Sequence, residues 1–265
     1  MKQISILGCG WLGFPLAKSF IENGFKVKGS TTTLSKIKIL EEAGIHPFLI
    51  ALGEKVEGEI EKFLQDIDVL IIDIPPKLKR DINESFIAKI DALIPFIEKS
   101  SVKKVIFISS TSVYADDSTV VTENTIPMPE TESGKQLLAS ENRLQNNPSF
   151  LTTILRFGGL IGDDRHPIYF LSGRENIENP DAPINLIHQK DCIQIIQQII
   201  KSEIWNETFN AVAPFHPTRK DYYTEKAIEW KLDLPKFNTS QNWGGKTIDS
   251  TKLITQLGYD FKKLD

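Results

Sequence analysis

Three glycines, Gly8, Gly10 and Gly13, stand in Gly-x-Gly-x-x-Gly spacing within "ILGCGWLG". In a strand-to-helix turn, each has a physical task. Gly8 makes the tight turn, Gly10 lets backbone approach a pyrophosphate, and Gly13 packs the helix against the strand. Trp11 and Leu12 complete the loop, where a helix N-terminus offers N–H groups and a positive dipole end to phosphate. Some 20 residues further on, an NAD site usually carries Asp or Glu for the ribose 2′-hydroxyl. This chain reads "GSTTTLSKIK" (29–38), and its next carboxylate is Glu41. Ser30, Thr31 and Thr32 are placed to donate to a 2′-phosphate, and Lys36 to neutralise it. The expected cofactor is therefore NADP, with NAD the alternative. A plainer reading makes Thr33 or Ser35 a helix N-cap and Lys36 a solvated side chain. Pro75 and Pro76, after the apolar run 68–74, are expected to line the adenosine or ribose side of the crevice.

Two further stretches carry polar groups. "VIFISSTSVYADD" (105–117) ends a strand pattern in Ser109 and Ser110 and continues to Tyr114. "PETESGKQLLASENRL" (129–144) reads as a helix. Ser133 and Gln136 fit a capping box there, and Gly134 suits a helix start better than an interior.

The elements that must position these groups alternate. Strand patterns fall at 4–7, 25–30, 46–52, 68–74, 103–110 and 150–158. Helical patterns fall at 11–22, 34–43, 58–66 and 81–100, the last containing Pro95, and then in the stretch around Ser133. Asn23-Gly24 is a helix stop. Alternation of this kind predicts an α/β fold, a Rossmann-type doubly wound parallel sheet. After Gly162 the pattern becomes irregular and proline-rich, with helices at 190–202 and 219–231 and a strand at 207–213. The expected organisation is a dinucleotide-binding domain over 1–162 and a smaller C-terminal α/β lobe over 163–265, sharing one core.

Composition excludes several classes. The chain has 265 residues, 40% hydrophobic and 25% charged, with a formal net charge of −4. No basic excess is present for nucleic acid. Cys9 and Cys192 have no pairing or metal-ligand spacing, so neither a disulfide framework nor a metal site is expected, and a reducing cytoplasm fits. The apolar run near the N-terminus is shorter than the roughly 7–15 residues of an export signal. No run approaches the roughly 18 apolar residues of a membrane helix.

The stretch around Ser109 and Ser110 resembles the serine motif of the extended short-chain dehydrogenases, the nucleotide-sugar epimerase and dehydratase group. "LASENRL" (138–144), "TILRFGGLIGDD" (153–164) and "INLIHQKDCIQII" (184–196) are similar in type and order to later family segments. The glycine loop departs slightly, because extended members usually space the first two glycines one residue wider. The resemblance implies hydride transfer at a nicotinamide coupled to proton transfer at a substrate oxygen. A tyrosine is the family's acid/base, a lysine one helical turn later lowers its pKa, and a serine orients the substrate. Ser110 matches that serine. Counting back from Glu141, the tyrosine position holds Ser133 and the lysine position Leu137, so the usual pair is missing.

Tyr222 with Lys226 and Tyr259 with Lys263 repeat the bare spacing but follow the sixth strand, and are expected to be surface helix pairs. Tyr114 is then a catalytic candidate, with loop packing as the plainer reading. Arg156, His188 and Ser133 are candidates for the substrate pocket. The resemblance implies an NAD(P)-dependent oxidoreductase or epimerase acting on a nucleotide sugar or similar small molecule. The alternative is a cofactor-binding sensor without turnover. Family members often pair through outer-layer helices, so a homodimer is compatible with it.

Overall fold

The computed structural model describes residues 2–76, 85–117, 119–240 and 244–262. Residues 81–84 of the expected fourth helix, and Lys263, lie outside them. The central sheet has seven strands: β1 (Gln3–Leu7), β2 (Lys26–Thr31), β3 (His46–Leu49), β4 (Val69–Ile72), β5 (Lys104–Ser110), β6 (Leu151–Phe157) and β7 (Thr208–Ala211). Their order is β7-β6-β5-β4-β1-β2-β3. β1 runs parallel to β2 and β4, β2 to β3, and β4 to β5. The strand order reverses between β1 and β4, and that switch point is where open α/β sheets bind ligands.

Local chemistry explains the boundaries. β4 is buried along its whole length, as a parallel strand covered on both faces should be. Helix α1 (Gly13–Glu22) buries Leu16, Ala17 and Phe20. It ends at Asn23 and Gly24, the glycine at φ 81°, with the Phe25 N–H returning to the Phe20 carbonyl at 3.0 Å. A 3₁₀ turn at Leu34–Lys36 leads into α2 (Ile37–Glu42), and α3 spans Ile60–Leu64. The expected strand 46–52 is divided. Pairing with β2 stops at Leu49, and Ala51–Leu52 instead pairs antiparallel with Val56–Glu57. Helix α4 (Phe86–Lys99) starts on Ser85, whose hydroxyl accepts the Ala88 N–H, and it continues through Pro95.

Helix α5 (Glu132–Gln145) corrects the expected cap. Thr131, not Ser133, is the N-cap: its backbone is extended and its hydroxyl accepts the Gly134 N–H at 3.1 Å. Ser133 lies in the first helical turn. Gln136 does not close a capping box but accepts the Phe86 N–H at 2.6 Å, tying α5 to the start of α4.

The chain divides into two compact units with several crossings, where the sequence suggested one boundary at 162. Unit 1 comprises Met1–Ser110, Thr131–Arg156 and Ile193–Thr208. Unit 2 comprises Thr111–Glu130, Phe157–Cys192 and Phe209–Asp265. The segment from Ile193 rejoins unit 1 because most of helix α7 (Gln189–Ser202) leads to the start of β7. Unit 2 contains α6 (Ile168–Leu171), α8 (Arg219–Glu229) and α9 (Thr251–Leu257). It also holds a short parallel pair, Gly159–Ile161 with Leu186–His188. Its core includes Ile161, Ile168, Ile184, Leu186, Tyr222 and Ala227. Among the described residues, no helix is long and apolar enough to cross a membrane.

Candidate functional site

The glycine loop grows directly out of the sheet register. Leu7 of β1 faces Ile72 of β4, so Gly8 and Asp73 are the next residues along two neighbouring strands. The Asp73 N–H donates to the Leu7 carbonyl at 2.9 Å. A Cβ at Gly8, which sits at φ 108°, would fall 2.2 Å from the Asp73 carbonyl oxygen. A Cβ at Gly13 would fall 2.2 Å from the Gly8 carbonyl oxygen. Gly10 differs: it is exposed, and a Cβ there would meet nothing within 4 Å. The two outer glycines therefore serve the fold, and the middle one leaves an open backbone surface. A pyrophosphate fits that surface at the start of α1. Pro15 in the first turn of α1 suits a position where no N–H is needed. Leu12 is buried against the loop and Trp11 is partly buried.

β2 braces the loop from the other side. The Gly8 N–H donates to the Ser30 hydroxyl at 2.9 Å, and the Cys9 N–H donates to the Ser30 carbonyl at 2.8 Å. Ser30 is buried in this role. Thr31 is also buried, and its hydroxyl accepts the Thr33 N–H at 3.1 Å. Thr32 and Lys36 are exposed. Thr33 stands at the N-cap position of the 3₁₀ turn with extended backbone, and its side chain makes no capping hydrogen bond. Pro75 is exposed and Pro76 partly buried beyond β4. Burial pushes the Cys9 thiol up to about 12, with the negative field of Asp73 adding to it.

Asp73 is the residue of this site that the sequence reading missed. Its carboxyl accepts the Gly13 N–H, and desolvation raises it to about 8 despite that bond. The available signal was a carboxylate closing an apolar run, in "LIIDIPP".

A second polar cluster lies inside unit 1. The Ser109 hydroxyl donates to Glu141 Oε1 at 2.5 Å. Arg156 Nη2 donates to Glu141 Oε2 at 2.5 Å, and its Nε lies 3.1 and 3.2 Å from the two carboxylate oxygens. All three residues are buried. Arg156 and Ser109, read from sequence as pocket and cofactor residues, are thus joined by a carboxylate in the interior. Ser110, next in the chain, is partly exposed at the end of β5.

The remaining candidates belong to unit 2. The Tyr114 hydroxyl donates to Asn210 Oδ1 at 2.9 Å, and the residue is only 2% exposed. Its carbonyl accepts from Lys246 Nζ at 2.9 Å. Tyr114 is thereby part of a buried network, as its packing reading has it. His188 accepts the Lys190 N–H on Nδ1 at 3.1 Å, and its Nε2 lies 3.6 Å from the exposed carboxylate of Asp163. Tyr222 and Lys226 are not a surface pair. Both are buried, with Tyr222 3.0 Å from His166 Nε2 and Lys226 bound to Glu229 at 2.8 Å. Tyr259 donates to the buried carboxylate of Asp191 at 2.6 Å.

Protein YeeZ of Escherichia coli (strain K12) is 32% identical to this chain over 268 residues, covering 100% of the chain and 97% of YeeZ. The chain belongs to the YeeZ family. Residues 3–126 match the family described as the NAD binding domain of 6-phosphogluconate dehydrogenase. The glycine loop lies within that match. The fold of the whole chain is that of the extended short-chain dehydrogenases. UDP-N-acetylglucosamine 4-epimerase from Bacillus cereus superposes with a TM-score of 0.81 at 17% identity, over 99% of this chain and 95% of that one. UDP-glucuronic acid 4-epimerase from the same organism, in complex with NAD, gives 0.81 at 19% identity, over 98% and 92%.

Helix α5 is where the sequence reading placed the positions of the acid/base pair. Ser133, Leu137 and Glu141 are spaced at i, i+4 and i+8 and share one face. The face turns inward: Ser133 is partly buried, Leu137 is 4% exposed, and Glu141 is bound to Ser109 and Arg156. Leu137, the position at which the sequence reading expected the lysine to be replaced, is packed as a buried aliphatic side chain.

Proposed function

We propose that this protein is an NADP-preferring oxidoreductase of epimerase type acting on a nucleotide sugar or a similar small molecule. The observation that carries the reading is the open backbone at Gly10, framed by two glycines that the fold itself demands. The end of β2 supports NADP over NAD. Ser30 is committed to the loop, but Thr32 and Lys36 reach solvent there, and no carboxylate follows before Glu41. A lysine can neutralise a 2′-phosphate as a point charge. When bound, the dinucleotide supplies hydride chemistry. The chain's own groups bind and orient: the α1 N-terminus holds phosphate, and Ser110 orients a substrate oxygen. Glu141 fixes Ser109 and so steadies the end of β5 beside it. The two Bacillus cereus neighbours are 4-epimerases of UDP sugars, which supports the substrate class. Buried cysteines at Cys9 and Cys192, not joined in a disulfide, suit a cytoplasmic setting.

Leu137 favours a second reading, a dinucleotide sensor without turnover. Losing a positioned general acid/base costs roughly 10²–10⁴-fold in rate. Turnover assays decide between the two. The full chain is incubated with NADP(H) and a panel of nucleotide sugars, following nicotinamide absorbance and sugar interconversion. Conversion of a sugar that is lost in Ser110→Ala supports the enzyme. Saturable cofactor binding with no conversion across the panel supports the sensor.

A further inference from the structure

The inner edge of the glycine loop carries a carboxyl group that a pyrophosphate site does not need. Asp73 follows β4 directly, and the β1–β4 register sets it beside Gly8. Its Oδ2 lies 3.0 Å from where a Gly13 Cβ would stand, and it accepts the Gly13 N–H in the first turn of α1. A carboxyl group of the protein, an anion once deprotonated, therefore lies against the same helix terminus that the dinucleotide reading assigns to phosphate. Like charges there oppose each other in a poorly solvated setting.

We propose that Asp73 is an affinity-determining residue of the dinucleotide site, and that its carboxyl must carry a proton for the anionic pyrophosphate to be held at full strength. The proposal rests on the dinucleotide reading of this loop. Among the described residues, the Gly13 N–H is the group that favours the ionised form of Asp73. From the loop, the Cys9 thiol lies on the β2 side, beside Gly29, and stays protonated to about 12. From β2, Ser30 is an uncharged hydroxyl, and the positive field of Lys36 reaches the Cys9 side of the loop. From α1, the first turn brings no acidic residue. β1 and β4 bring apolar residues and Ser5, whose hydroxyl donates to the Phe63 carbonyl. Burial already raises the carboxyl to about 8 without ligand. Phosphate charge placed on the loop raises it further, so binding above that pH takes up a proton.

The test is calorimetric titration of the full chain with NADPH and NADH, for the wild type and Asp73→Asn. It runs from about pH 7.5 to about pH 9.5 in paired buffers of unlike ionisation heat, and one coupled proton weakens binding up to about tenfold per pH unit. The 2′-phosphate of NADPH titrates near pH 6, so a slope shared by both dinucleotides comes from the protein. We expect wild-type Kd to rise above pH ~8 with proton uptake, and Asp73→Asn to bind about tenfold or more tighter at the alkaline end with a flat profile. Should Asp73→Asn not fold, wild-type proton uptake decides alone. A flat wild-type Kd with no proton uptake overturns the proposal and leaves the dinucleotide reading standing. Absence of binding at every pH overturns the reading and the proposal with it.

Discussion

Arg156 grips Glu141 inside unit 1 through two guanidinium nitrogens, Nη2 at 2.5 Å from one carboxylate oxygen and Nε at 3.1 Å from the other. Glu141 also takes the Ser109 hydroxyl, so one buried carboxylate ties α5, β5 and β6 together. Removing one partner strands the other charge. Glu141→Ala or Arg156→Ala should each lose roughly 3–5 kcal/mol, and the apolar double variant Glu141→Leu/Arg156→Met should lose less than either. Urea denaturation of the three variants measures this. Single variants within about 1 kcal/mol of wild type would contradict an interior ion pair.

The start of α5 gives a sharper contrast. Thr131 supplies the capping hydroxyl, whereas Ser133 sits inside the first turn. Thr131→Ala should cost about 1 kcal/mol, and Ser133→Ala should stay within about 0.5 kcal/mol. Thermal or urea unfolding reads the difference, and a reversed order would return the cap to Ser133.

Much of the fold was legible in the sequence because strands buried on both faces leave long apolar runs, as at 68–74 and 103–110. Asn23-Gly24 stopped α1 as its chemistry requires. The division of 46–52 was not legible, because Phe48, Leu49, Ala51 and Leu52 form one apolar run whichever partner each strand finds. The cap was misplaced for a similar reason: Thr131 and Ser133 are both good caps, and only the backbone decides between them. In the site, the glycines were readable by spacing. Asp73 was not, since its importance comes from sheet order, which brings β4 beside β1 across more than sixty residues of sequence. Arg156 was readable as functional polarity but not as a partner of Glu141, which no local spacing reveals.

The glycine loop separates folding from binding. Gly8→Ala places a methyl 2.2 Å from the Asp73 carbonyl at a positive φ, and should destabilise by more than about 1 kcal/mol. Gly10→Ala meets no neighbour, so its melting temperature should match wild type while dinucleotide affinity falls by about tenfold or more. Differential scanning fluorimetry with and without NADPH compares them.

His166 predicts an acid-sensitive unit 2. Burial, with the nearby positive charge of Lys226 adding to it, holds its imidazole down to about 4 against an ordinary 6.5. The unfolded chain then takes up a proton first as pH falls. The stability His166 contributes is whole above pH ~6.5 and is lost progressively toward pH ~4. Denaturation midpoints across that window should fall for wild type and fall less steeply for His166→Gln.

The central claim is that the loop at Gly10 binds a dinucleotide and that the end of β2 favours the 2′-phosphate. Titrating the full chain with NADPH and NADH near neutral pH, by calorimetry or by energy transfer from tryptophans that include Trp11 in the loop, tests both halves. The account predicts saturable binding of both, NADPH the tighter, with its advantage reduced in Lys36→Ala. Tighter binding of NADH would contradict the assignment at β2, and no binding of either would contradict the account as a whole.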